Sequence, residues 1–356
     1  MMGSSGKPAA GTGFSLGSDN HSGVHPTILA AVVAANGGHV PAYGMDDLSQ
    51  AAVATLCRRF GASSAHLVFN GTAANVLALG ALVPSHGSIL CADSAHIHND
   101  ECAAPERALG CKLQAVPTAD GKLTPAMLEP LLWRRGDQHV AQPTVISISQ
   151  PTEWGTVYSL NELRELVAFA RRQRLRVHVD GARLVNAAAA LAVDLAALGG
   201  ELGIDALSLG GTKNGLMGGE AVLLFDRALG GELRYRRKQH MQLGSKMRFV
   251  AAQFLAWLAD DLWREMALHA NAMAARLGQA AARLPQVQMS QRVQANAVFA
   301  RLPPAWLAPL RAQAFFYLWH APSHEVRWMT SFDTPVTAID AFVARLQGLA
   351  ADADAA

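Results

Sequence analysis

Three short stretches of this chain carry the residue types that covalent and acid–base chemistry require. Ser208-Leu209-Gly210-Gly211-Thr212-Lys213-Asn214-Gly215 sets one lysine among glycines directly after an apolar run. A lysine so placed becomes a nucleophile where its surroundings favour the neutral amine; an exposed loop lysine is the plainer alternative. Val177-His178-Val179-Asp180-Gly181-Ala182-Arg183 ends an apolar run on an aspartate, with an arginine three residues on. Ligands bind at the carboxyl ends of strands in open α/β sheets, so Asp180 and Arg183 read either as ligand contacts or as a helix cap with a solvated partner. Phe69-Asn70-Gly71-Thr72-Ala73-Ala74-Asn75 reads as strand, turn and helix start. The N–H groups and Thr hydroxyl at such a start suit an anion, although for the motif alone an ordinary capped turn is the simpler reading. It is not a Walker loop, because no Gly-Lys-Ser/Thr follows.

Taken together the three motifs say more. An anion cradle, a carboxylate and a lysine at the carboxyl ends of strands in one sheet match the phosphate, ring nitrogen and aldehyde of pyridoxal phosphate. The order phosphate loop, Asp180, then Lys213 33 residues later resembles that of fold-type-I pyridoxal-phosphate enzymes. A dinucleotide-binding dehydrogenase is disfavoured, because no Gly-x-Gly-x-x-Gly follows an early strand.

The elements that must position these residues follow from apolar patterning. Between residues 67 and 225 short apolar runs alternate with helical patterns, the rhythm of βαβ units around a mostly parallel sheet. Strands are predicted over 65–69, 88–91, 144–149, 176–179, 206–209 and 221–225, and helices over 75–82, 160–173 and 185–198. From residue 247 to 284 the pattern is one long helix, interrupted softly at Asp260-Asp261. Strands over 297–302, 314–319 and 327–331 and a helix over 338–349 follow, predicting a smaller α+β domain. The expected division is a disordered leader (1–15), a large cofactor-binding domain (16–250), a small domain with its connecting helix (251–350) and a tail (351–356).

Composition narrows the function classes. Thirty Lys+Arg against 28 Asp+Glu leave a formal charge of +2, which makes no electrostatic case for nucleic acid. Hydrophobic residues at 51% and charged residues at 16% exclude a disordered chain. The most apolar stretch, 184–198, is broken by Asn186 and Asp194 and falls short of the ~20 residues a membrane span needs. The first residues lack the apolar core of a signal peptide. Four cysteines without a Cys-x-x-Cys pair fit a reducing, cytoplasmic compartment.

A closer resemblance, from Ser18 to Arg327, is to the threonine aldolases. It rests on Ser18-Asp19, Tyr43-Gly44-Met45-Asp46, Asn70 to Asn75, Ala95-His96, His178 to Arg183, Lys213, Met247-Arg248, Asn296 and Arg327. The resemblance implies a mostly parallel seven-stranded sheet of fold type I and Lys213 as the Schiff-base lysine. It also implies Asp180 as partner of the pyridine nitrogen, Asn70, Gly71 and Thr72 at the phosphate, and His96 stacked on the ring. Ser18, Arg183 and Arg327 would face the substrate carboxylate, while Tyr43 and Arg248 would reach a neighbouring subunit's site in a homotetramer. The expected reaction is retro-aldol cleavage of L-β-hydroxy-α-amino acids (L-threonine, L-allo-threonine, L-phenylserine) to glycine and an aldehyde. An amino-acid β-eliminating lyase is the alternative, followed by a non-catalytic cofactor-binding homologue.

The chain departs from the family pattern at Gln150-Pro151-Thr152-Glu153-Trp154-Gly155, where Glu153 stands at the position of a frequent histidine. Glu153, His96 or a water is then the base for the β-hydroxyl, and Trp154 adds an apolar wall suited to phenylserine. His96 and His98 alternate with nearby carboxylates, but Asp100 and Glu101 diverge, so no metal site is expected.

Overall fold

A computed structural model describes residues 14–354. The large sheet has seven strands in the order β1-β7-β6-β5-β4-β2-β3. They are β1 (Ser64–Val68), β2 (Gly87–Ala92), β3 (Lys112–Val116), β4 (Gln142–Ser149), β5 (Arg176–Gly181), β6 (Ala206–Gly210) and β7 (Glu220–Leu224). β7 alone runs against its neighbours, while the β3, β2, β4, β5 and β6 pairings are parallel. One edge of the sheet therefore gathers the carboxyl ends of β1, β4, β5 and β6 together with the amino end of β7.

Side-chain alternation explains why these strands read as continuous apolar runs. In β2, Leu90 and Ala92 join one core cluster while Ile89 and Cys91 join another. In β7, Ala221 and Leu223 face the first and Val222 and Leu224 the second. Helices cover both faces, so both sides of the central strands are mostly apolar, and the buried polar exceptions Ser147, His178 and Ser208 hydrogen-bond one another.

In chain order the helices are α1 (Pro26–Ala34), α2 (Asp47–Phe60), α3 (Gly71–Gly80), α4 (His96–Asn99), α5 (Ala104–Leu109), α6 (Pro125–Leu128) and α7 (Leu160–Arg172). Then come α8 (Leu184–Leu191), α9 (Arg227–Gln239), α10 (Arg248–Leu258), α11 (Leu262–Ala281), α12 (Pro304–Arg311) and α13 (Val336–Asp354). The predicted 160–173 helix is α7, opened by a capping box between Ser159 and Glu162, a device worth about 1 kcal/mol.

A second, four-stranded antiparallel sheet has the order β10-β11-β9-β8, from β8 (Gln288–Met289), β9 (Ala297–Arg301), β10 (Tyr317–His320) and β11 (Glu325–Met329). Its core is built around Phe316, Trp328 and Phe342, packed edge to face with centroids 5.4–6.2 Å apart.

Several sequence expectations are corrected. The long helix over 247–284 is two helices, because Asp260 and Asp261 both take positive φ (49° and 55°) and end α10. Asp261 then accepts the Trp263 indole N–H at 3.1 Å and pairs with Arg59, which holds the new direction. The 185–198 helix stops at Leu191, where Ala192 is left-handed, and resumes as a 3-10 turn at Leu195–Leu198. β3 was missing from the expected strands, and α13 continues through 351–354, where a tail was expected. The expected leader lies almost entirely outside the described residues.

Candidate active site

The shared edge of the large sheet opens into a cavity of about 410 Å³ lined by Gly71, Thr72, His96, Asp180, Lys213 and Glu220, among others. β1 delivers the first wall. Asn70 caps α3 by accepting the Ala73 N–H at 2.9 Å. The first N–H groups of a helix have no intrahelical acceptor, so those of Gly71 and Thr72 remain at the cavity. A Cβ added to Gly71 would meet nothing within 4 Å, so the space beside this helix start is open to a ligand.

The floor comes from β5. Asp180 is 8% exposed; its Oδ2 accepts from Asn75 Nδ2 at 2.8 Å and its Oδ1 from the Ala182 N–H at 3.0 Å. Burial alone would raise its pKa, but attraction to the imidazolium form of His96 and the Asn75 hydrogen bond outweigh that and hold it below its ordinary range. Two residues back on the same face, His178 bridges Ser147 and Ser208 at 2.9 and 3.0 Å. Burial pushes its imidazole down to about 4, so it stays neutral beneath Asp180.

β6 ends where Lys213 begins. Gly210 must be glycine, because a Cβ there would lie 2.2 Å from the Ala182 carbonyl oxygen. That contact brings the β5 and β6 ends together and lets the 3-10 turn Thr212–Asn214 carry Lys213 over the cavity. Among the described residues the Lys213 amine has no hydrogen-bond or ion-pair partner. Burial first, then the charge of Arg183, lowers its pKa and enlarges the neutral, nucleophilic fraction. Glu220 at the start of β7 accepts the Gly211 N–H at 2.6 Å, and burial pushes its carboxyl up to about 7.

His96 opens α4 at the cavity wall. Its ring is 35% exposed, and its Nδ1 lies 2.8 Å from Glu101 Oε1. Burial alone would lower its pKa, but the Glu101 hydrogen bond and the Asp180 charge raise it. Because α4 is helical, His98 is directed away from this arrangement into solvent. Among the described residues no three or more His, Cys, Asp or Glu side chains are grouped to hold a metal ion.

The remaining sequence-derived candidates lie outside this cavity's lining. Arg183 forks onto Asp19, with Nε to Oδ2 at 2.5 Å and NH2 to Oδ1 at 2.8 Å. Asp19 is itself buried and also receives Asn296 Nδ2 at 3.2 Å. Ser18 caps a 3-10 turn, accepting the Asn20 N–H at 3.2 Å. Arg327 donates to the Gly17 carbonyl at 3.1 Å, sits 4.6 Å over the Trp319 ring and leaves its Nε unpartnered. Burial and the nearby Arg183 push its guanidinium down to about 10. Glu153 Oε1 accepts the Ser149 hydroxyl at 2.6 Å and the His96 backbone N–H at 2.8 Å; burial raises its pKa. Trp154 joins Phe299 and Trp319, centroids 5.3–6.1 Å apart, in an aromatic cluster beside Arg327. Tyr43 is 51% exposed, and Arg248 donates to the Gly37 and Gly38 carbonyls at 3.2 Å.

Sequence reasoning assigned no site role to Glu101, Glu220, Asp19 or Asn75. Asp19 and Asn75 lay inside quoted motifs, but their partners are 164 and 105 residues away in the chain and carry no local signal.

Comparison with known proteins places this geometry in context. Residues 15–303 match the beta-eliminating lyase family. The chain is 42% identical to the low specificity L-threonine aldolase of Pseudomonas aeruginosa, across 90% of this chain and 93% of that protein. It is 41% identical to the same enzyme of Pseudomonas sp. (strain NCIMB 10558), across 94% and 95%. The solved threonine aldolase of Leishmania major superposes with a TM-score of 0.90 at 28% identity, covering 95% of this chain and 99% of that one.

Proposed function

This chain belongs to the beta-eliminating lyase family, beside the low-specificity threonine aldolases, and we propose that it cleaves L-β-hydroxy-α-amino acids to glycine and an aldehyde. The observation that carries this reading is the convergence of the α3 amino end, Asp180, His96 and a buried, unpartnered Lys213 on one cavity. Those residues fit pyridoxal phosphate. The open helix start at Gly71 and Thr72 would hold the phosphate, Asp180 the pyridine nitrogen, the His96 ring would lie against the cofactor, and the Lys213 amine would hold the aldehyde carbon. When bound, that cofactor supplies the electron sink for the pair released as the Cα–Cβ bond breaks.

The protein's own groups do the rest. Arg327, with an unused Nε and a buried guanidinium, holds the substrate carboxylate; Arg183 stands next to it, its fork fixed by Asp19, and Ser18 completes that wall. Fixing the carboxylate fixes rotation about the Cα–N bond, which selects the bond that breaks. His96 removes the β-hydroxyl proton. Glu153 supports it from behind, because its Oε1 is already taken by the His96 N–H and the Ser149 hydroxyl. The cluster of Trp154, Phe299 and Trp319 beside Arg327 offers an aromatic wall to the β-substituent, which favours L-phenylserine over L-threonine. Exposed Leu29, Val33, Tyr43 and Met45, on α1 and the segment after it, are covered by further copies of the chain in a homo-oligomer. Among the described residues no helix is long and apolar enough to cross a membrane, and the protein acts in the cytoplasm.

The test is product analysis with L-threonine, L-allo-threonine and L-phenylserine in the presence of pyridoxal phosphate. Glycine with the matching aldehyde in equal amounts is expected. A 2-oxo acid and ammonia would instead identify β-elimination.

A further inference from the structure

Glu101 follows α4 with its side chain 0% exposed, although a lone carboxylate is costly to bury. Its Oε1 accepts from Asn75 Nδ2 at 2.8 Å and lies 2.8 Å from His96 Nδ1, while Oε2 has no partner. The same Asn75 Nδ2 donates to Asp180 Oδ2 at 2.8 Å. Two acceptors flank this amide, so its NH2 must face them, and its Oδ1 is left unpartnered. The result is a continuous chain from His96 through Glu101 and Asn75 to Asp180, linking the histidine at the cavity wall to the carboxylate at its floor.

Burial raises the Glu101 pKa, and the hydrogen bonds from His96 and Asn75 oppose that by favouring the charged form; the ionised carboxylate only accepts hydrogen bonds, so the ring nitrogen facing it then carries the proton. We propose that Glu101 is a positioning residue that holds His96 protonated on Nδ1 and bare on Nε2, and that Asn75 locks the same carboxylate to Asp180. This rests on the assignment of His96 as the β-hydroxyl base. A bare Nε2 is the form that can take a proton, and Glu101 then stabilises the imidazolium that results. The other charged groups facing His96 are Asp180, from β5, and Lys213, from the turn after β6. Glu153 touches only its backbone N–H.

The experiment is long-range ¹⁵N–¹H correlation on histidine-labelled protein loaded with pyridoxal phosphate, with His96 assigned by its loss in His96→Gln. The wild type is expected to show the Nδ1-protonated tautomer. In Glu101→Gln, which keeps the shape and removes the charge, the tautomers should mix and the His96 titration midpoint should fall. Turnover should drop roughly 10- to 100-fold, the range for groups that orient a functional histidine, with KM little changed. If Glu101→Gln fails to fold, Glu101→Asp, which keeps the charge but shortens its reach, serves in the same measurement. A folded variant whose His96 tautomer and midpoint match wild type overturns the proposal. The NMR signal needs no turnover, so a failure to release glycine and aldehyde would count against the aldolase reading separately.

Discussion

Asp180→Asn tests the cofactor assignment most directly, because the change is nearly isosteric and its consequences can be worked from two hydrogen bonds. Asp180 uses Oδ2 for Asn75 and Oδ1 for the Ala182 N–H. An asparagine has one oxygen for these two donors, so in either orientation its own NH2 meets an N–H. One buried donor is left unsatisfied, at a cost of about 1–3 kcal/mol, and the melting temperature should fall by a few degrees. The protein should stay folded. Activity should suffer more, because Asp180 is the carboxylate held ionised at the cavity floor. Losing a preorganised charge of this kind costs ~10²-fold or more in turnover, equivalent to about 2.7 kcal/mol. The assay is glycine release at saturating pyridoxal phosphate, run beside a thermal melt and a cofactor titration by absorbance. Folded, cofactor-saturated Asp180→Asn within ~3-fold of wild type would refute the assignment, since electrostatic stabilisation of that size could not then be at work.

Lys213→Ala should abolish turnover and release cofactor on gel filtration; wild-type retention of the visible absorbance would mean that another group holds it. Asp19→Asn breaks a buried, bidentate pair with Arg183, at an expected cost of about 3–5 kcal/mol read from denaturant melts; unchanged stability would contradict the geometry. Burial alone would raise the Asp19 pKa, but Arg183 outweighs it, so the folded value lies below the unfolded one of about 3.9. The pair's stabilisation is therefore complete at neutral pH and is lost as pH falls below about 4 through that lower value, a decline that Asp19→Asn should flatten. Trp154→Ala removes part of the aromatic wall and should lower the kcat/KM ratio of L-phenylserine to L-threonine by roughly tenfold; an unaltered ratio would place the β-substituent elsewhere.

What could be read in the sequence follows from which interactions are local. β5 and β6 were legible because sheet strands covered on both faces are mostly apolar, and because Asp180 closes one such run while Lys213 follows the other in a glycine-rich turn. β3 was not, since at the sheet's edge Lys112, Gln114 and Ala115 are wholly or partly exposed and the apolar run disappears. The Asp260-Asp261 break looked soft because helical spacing resumes on either side, whereas two left-handed residues turn the chain sharply.

The candidate site divides in the same way. The loop motifs are contiguous and spoke for themselves, but the groups that set their electrostatics come from far along the chain. Asp19 reaches Arg183 across 164 residues, and Asn75 reaches Asp180 across 105. Even Glu101, only five residues after His96, carries no signal of its partner if the segment is extended. In an extended chain, residues five apart point to opposite faces, so Glu101 looked unrelated to His96. The short helix α4 and the turn after it fold the chain back instead, putting the carboxylate on the imidazole. The ring's protonation state thus depends on a backbone conformation that residue types alone do not reveal.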